Sequence, residues 1–147
     1  MLFNSFELQT TAGYSDKRHF LKDCSRYNLP ITPHRRVMGE NRYSLGHIGL
    51  ALVIAELQSY EIALPTCKRL IDRIDIEFFD DQVDLLQAGK INALIVMIPS
   101  RHDLDREDFP TVATSWDEVI RFARDEAINF FPIEIGEMLR EKLKGNW

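Results

Sequence analysis

The sequence predicts an α+β chain in two parts, a helical N-terminal half carrying one short basic hairpin and then a small α/β unit. Three observations predict it. Helical apolar spacing runs through residues 5–74 with one interruption, PHRRVMGENRYS at 33–44. Beyond residue 74 the texture turns to short alternating or continuous apolar runs separated by helical patterns. The charge also divides: residues 1–74 hold ten Lys/Arg against seven Asp/Glu, and residues 75–147 hold eight against sixteen, balances of +3 and −8. The expected organisation is therefore a domain over 1–74 and an acidic α/β dimerisation or partner-binding domain over 75–147.

In the N-terminal half, Ser5 is a candidate cap for a helix through Thr11, with Phe6 and Leu8 as apolar anchors. Gly13 breaks it. Ser15 or Asp16 then caps a second helix to Tyr27, whose Phe20, Cys24 and Tyr27 recur at i, i+4 and i+7. Leu29-Pro30 ends that segment. Arg35 to Met38 and Arg42 to Tyr43 form two short strands about a Gly39-Glu40-Asn41 turn. Ser44 caps a helix from Leu45 to Ser59 that is apolar around most of its circumference. A shorter helix, Thr66 to Arg73, follows Pro65.

In the second half, Ile74 to Phe78 alternates with period two and predicts a strand. Asp80 or Asp81 starts a short helix to Ala88. Ile91 to Ile98 predicts a central strand, and 99–110 a charged loop. Ser115 and Glu118 form a capping box for a helix to Asp125. Ile128 to Ile133 predicts a strand and Ile135 to Leu143 the last helix.

Composition restricts the function classes. Apolar residues make up 45% and charged residues 28%, with nine Phe and two Trp to build a core. No run approaches the roughly 18 consecutive apolar residues of a membrane span. The start, MLFNSFELQ, lacks the basic region of a secretory signal. Cys24 and Cys67 form no CxxC pair, so they read as thiols of a reducing cytoplasm.

Enzymatic chemistry finds little support. Arg101-His102-Asp103-Leu104-Asp105-Arg106-Glu107-Asp108 places a histidine among carboxylates, yet without the spacing of a metal site. The run Asp80-Asp81-Gln82-Val83-Asp84 lacks the central glycine of a calcium loop and suits a helix N-terminus. The seven glycines are scattered, so no phosphate loop is present. No catalytic, metal or cofactor site is expected, and the remaining enzyme reading rests on His102.

Nucleic acid is the leading partner. Within 16–42 there are seven basic residues against three acidic ones. Lys17, Arg18, His19, Lys22 and Arg26 decorate the second helix, and His34, Arg35, Arg36 and Arg42 the hairpin region. A groove-reading helix needs an apolar face against its own domain and a polar, basic face outward. The hairpin arginines suit phosphates or the minor groove, as the wing of a winged helix-turn-helix does.

The block ENRYSLGHIGLALVIAELQSYEIALPTCKRLIDRI resembles the wing end and following helices of MerR-like winged helix-turn-helix regulators, and FELQTTAGYSDKRHF resembles their helix-turn-helix, with Gly13 at the turn. The resemblance covers residues 5–74. Gln9 stands where that family usually has alanine, and the long dimerising helix of its familiar members has no counterpart. What it implies is a cytoplasmic, sequence-specific DNA-binding transcriptional regulator of bacterial or phage type, working on double-stranded DNA as a homodimer. The acidic half favours a different reading, a protein–protein module such as an antitoxin or adaptor with a degenerate helix-turn-helix.

Overall fold

A computed structural model describes residues 2–14, 17–33, 35–126 and 129–144, without the side chains of Lys17, Arg18 and Leu21. His34, Ile128 and the predicted caps Ser15 and Asp16 lie outside the described residues. The chain is α+β and divides into two compact units, Met1–Asp72 and Arg73–Trp147.

In the first unit, α1 (Ser5–Thr11) is capped by Asn4 rather than Ser5. Asn4 Oδ1 accepts the Glu7 N–H at 2.9 Å, and the Glu7 carboxylate accepts the Asn4 N–H at 2.8 Å. That reciprocal box needs exactly two residues between cap and acid, so Glu7 selects Asn4. Leu8 is fully buried, but Phe6 is 65% exposed. Residues two apart on a helix point to different sides and cannot both anchor it.

Gly13, at φ 83, turns the chain toward α2 (Lys17–Arg26). Helix α2 ends on Asn28, at φ 51, before Pro30 is reached. The Leu29 N–H bonds the Cys24 carbonyl and the Asn28 N–H the Ser25 carbonyl, a left-handed cap that satisfies the last turn. Phe20 is fully buried and meets Tyr14 edge-on at 5.1 Å. Gln9 is buried as well, its amide donating to the Tyr14 carbonyl.

Strands β1 (Arg35–Val37) and β2 (Glu40–Arg42) form an antiparallel hairpin. Ser44 then caps α3 (Leu45–Ser59), accepting the His47 N–H at 3.3 Å. Every residue from Leu45 to Ile54 is buried, as its all-round apolarity requires. Helices α1 and α4 (Leu64–Ile71) pack on α3. Helix α4 carries Pro65 in its first turn and starts two residues before the predicted Thr66.

The second unit corrects the strand expected at 74–78. Asp75 Oδ1 accepts the N–H groups of Glu77 and Phe78 at 3.0 and 3.2 Å, which starts α5 (Ile76–Gln87) there. Phe79, Val83 and Leu86 then bury one face at i, i+4 and i+7, each worth about 1.5–3 kcal/mol if fully removed from water. A two-residue alternation over five positions could not outweigh that stripe. Asp80 and Asp81 consequently sit inside α5 and not at its start.

Strand β3 (Ile95–Pro99) is buried throughout and lies between β4 (Thr111–Ala113) and β5 (Phe130–Glu134). Both pairings are antiparallel, so the expected α/β unit is an α+β one. β4 was not anticipated. Three residues beside a charged loop carry too little alternation to signal a strand. Helix α6 (Trp116–Glu126) has half of the expected box: Ser115 Oγ accepts the Glu118 N–H, while the Glu118 carboxylate turns to Thr114. Helix α7 (Ile135–Lys142) follows β5 directly. Phe109, Phe122 and Phe130 close one core cluster, with ring centroids 5.5 to 6.3 Å apart. No helix among the described residues is long and apolar enough to cross a membrane.

Candidate nucleic-acid interface

The hairpin is built around a two-residue turn. Met38 and Gly39 have φ of 53 and 80, the left-handed pair that matches the twist of two adjacent strands. The turn is thus Met38-Gly39, and Glu40 and Asn41, expected in it, belong to β2. The register sets Arg35 opposite Arg42, Arg36 opposite Asn41 and Val37 opposite Glu40.

That register sorts the arginines by face. Directly opposed residues share a face and neighbours alternate, so Arg35, Val37, Glu40 and Arg42 lie on one side and Arg36 and Asn41 on the other. The three arginines are not one cluster. Arg36 donates from Nη2 to the Gly39 carbonyl at 2.9 Å and braces the turn. Arg42 meets Glu40 at 3.2 Å, and Arg35 is exposed.

The base of the hairpin is fixed. Phe3 and Tyr43 exchange two backbone hydrogen bonds, at 2.9 and 2.8 Å, so the segment before α1 joins the chain just after β2 through a single antiparallel bridge. Both side chains are buried. Tyr43 leads into the Ser44 cap, where Ser44 Oγ also lies 2.8 Å from His47 Nδ1. A hairpin alone is marginal in water, and these contacts tie this one to two helices.

On α2, His19, Lys22 and Arg26 are exposed and recur at i, i+3 and i+7, forming one polar stripe away from buried Phe20. The Arg26 guanidinium lies over the Tyr27 ring at 5.4 Å. Lys17 and Arg18 belong to the first turn of this helix, and His34 lies outside the described residues. Asp23 accepts the Tyr14 hydroxyl at 2.7 Å, and burial followed by this carboxylate pushes the Tyr14 phenol well above its usual range.

Elsewhere the reactive side chains are engaged structurally. Burial raises the thiol of Cys24 to about 12 and that of Cys67 to about 11, so both stay protonated near neutral pH. His102 stands exposed in a single helical turn, Arg101–Asp103. Around it, Ser100 Oγ donates to Asp103 at 3.2 Å, and Arg106 pairs with Asp108 through two bonds of 2.9 and 2.6 Å. No group of three His, Cys, Asp or Glu side chains among the described residues could hold a metal ion.

Compared with known proteins, the chain matches no family model and no curated sequence. The geometry of the hairpin and α2 therefore carries the functional argument. Two parts of it were hidden in the sequence: the division of the arginines between faces and the Phe3–Tyr43 bridge. The first depends on a register that one residue of slip would invert. The second joins positions forty residues apart, with no local signal for their pairing.

Proposed function

We propose that this protein is a sequence-specific DNA-binding regulator, with Met1–Asp72 acting as a winged helix-turn-helix of MerR-like kind. The carrying observation is the opposed pair Arg35 and Arg42 on a hairpin anchored at its base. Like charges directly across a pair of strands cost stability; Glu40 beside Arg42 offsets part of that cost, and an anionic partner offsets more. A phosphate backbone is such a partner, and arginine binds it bidentately.

In this reading the hairpin tracks phosphates while α2 enters the major groove with His19, Lys22 and Arg26, joined by Lys17 and Arg18. The arginines fix orientation, and the helix reads bases. A homodimer doubles the bases read, since a single module of this size covers a short half-site. No catalysis is assigned.

A salt titration of duplex binding, followed by fluorescence anisotropy, tests the proposal. Each neutralised phosphate contributes a log–log slope of about −0.9, so a binder using both elements gives a slope of several units. Absence of binding to any duplex at low salt overturns it. The balance of −8 over residues 75–147 favours the other reading, a protein–protein module, which the same titration separates by showing no salt-dependent DNA binding.

A further inference from the structure

Helix α6 leaves an apolar stripe uncovered. Its inner face buries Val119 and packs Phe122 against the Phe109 cluster. On another face Trp116 is 46% and Ile120 62% exposed, and Ala123 is exposed beside them. These three recur at i, i+4 and i+7, one continuous strip along the helix. Ile120 is mostly in water and Trp116 nearly half so, which leaves apolar surface in register along one side of the helix.

The charges on the edge of this strip, Asp117 and Arg124 with exposed Arg121 beside them, favour a second copy of the helix as its cover. At 100° per residue, Asp117 and Arg124 fall within about 20° of each other, on the same edge of the stripe and nearly two turns apart. Arg124 contacts Asp125 at 3.3 Å, but both side chains are largely in water, where such a pair holds weakly. When two copies of a helix meet antiparallel about a two-fold axis, equivalent edges face each other. With the axis at Ile120, Asp117 of one copy lies level with Ala123 of the other, one residue from Arg124. Each Asp117 then meets Arg124 of the second copy, twice by symmetry, while Ile120 packs on Ile120 and Trp116 covers the far end of the stripe. A parallel arrangement sets unlike edges together and forms neither pair.

We infer that the exposed face of α6 is a self-association surface, occupied by α6 of a second copy in antiparallel two-fold contact. This deepens the homodimer in the proposed function and does not depend on DNA. A pair of three-turn helices makes a small interface, so the dimer exchanges with monomer and does not form an obligate unit.

Sedimentation velocity on the whole chain, without DNA, tests it over about 1 to 500 µM, the range where a small interface associates. The wild type is expected to shift from monomer to dimer across that range. Ile120→Arg is expected to weaken dimerisation about tenfold or more, because it sets two charges at the axis. Asp117→Arg alone and Arg124→Asp alone each place like charges together and weaken it. Asp117→Arg combined with Arg124→Asp restores it, which a nonspecific loss of apolar surface does not predict. All three positions are exposed, and an unchanged circular dichroism spectrum checks that each variant folds. A wild type monomeric throughout, a dimer indifferent to Ile120→Arg, or a double variant no better than the single ones overturns the inference. Failure of duplex binding in the salt titration overturns the DNA reading and leaves this one standing.

Discussion

Arg35 and Arg42 are direct cross-strand partners on one face of the β1–β2 hairpin, and Glu40, two residues from Arg42 on the same face, holds one of them at 3.2 Å. Two guanidinium groups across a ladder repel, and one exposed carboxylate offsets only part of that repulsion. The arrangement is unfavourable in the isolated chain and favourable beside an anion. That asymmetry makes stability and binding respond in opposite directions to the same substitution.

Arg35→Glu replaces a repelling pair with an attracting one. It is expected to raise the unfolding free energy by a few tenths of a kcal/mol, read by chemical denaturation, and to weaken duplex binding at every sequence. Arg35→Ala is expected to lower the salt slope by about one unit. A substitution that lowers stability and leaves the slope intact would remove the hairpin from the DNA interface.

Arg36 faces the other way and braces the turn through the Gly39 carbonyl at 2.9 Å. Arg36→Ala is therefore expected to leave the salt slope nearer the wild-type value than Arg35→Ala does. Measuring both slopes in one buffer series checks it, and equal losses would mean that both faces touch phosphate.

Met38 takes φ of 53 at the hairpin tip with its side chain 98% exposed. The left-handed region costs a non-glycine residue about 1 kcal/mol, and asparagine pays least among the others. Met38→Asn is expected to raise stability by about 0.5–1 kcal/mol, visible as a higher denaturation midpoint with an unchanged slope. A decrease would show that the methionine side chain packs on something in the folded unit.

Arg73 holds the charged loop closed from outside it. Its Nη1 donates to the carbonyls of Leu104, Arg106 and Phe109 at 3.2, 2.6 and 3.0 Å. Arg73→Ala leaves these part-buried carbonyls short of a donor, at a cost of about 1–3 kcal/mol. Amide exchange is expected to accelerate over 101–110 before it does in β3. Arg73→Lys, whose ammonium sits on a shorter side chain than Nη1, is expected to recover only part of the loss.

The buried thiols give a pH dependence of definite sign. Cys67 is raised from 9 to about 11, and Cys24 to about 12, by burial. Their unfolded forms lose protons first as pH rises, so the folded state is fully favoured below pH 9 and loses that advantage as pH climbs through 11 to 12. Thiol alkylation at pH 8 is expected to be far slower in the native chain than in urea. Equal rates would show that these sulfurs are open to solvent.

Much of the helical framework could be read locally. Ser44 announces α3, and the apolar circumference of Leu45–Ile54 announces its burial, because both are properties of consecutive residues. The strand expected at Ile74–Phe78 is a helix because Asp75 caps it and Phe79, Val83 and Leu86 bury it, and five alternating residues do not reveal the stripe that continues beyond them. The basic candidates on α2 and the hairpin were legible as residue types. Their grouping was not, since Arg35 joins Arg42 and leaves Arg36 only through strand register.

By itself the sequence determined the α+β character, the Ser44 cap, where several helices stop, and the separation of a basic N-terminal half from an acidic C-terminal one. These follow from propensity, periodicity and composition, which act over a few neighbouring residues. Tertiary structure alone decided the Phe3–Tyr43 bridge under the hairpin, the Arg73 clasp on the 101–110 loop, the antiparallel order β4-β3-β5 and the exposure of Trp116 and Ile120. Each of these depends on residues that packing brings together from distant positions, or on a neighbour that packing fails to supply.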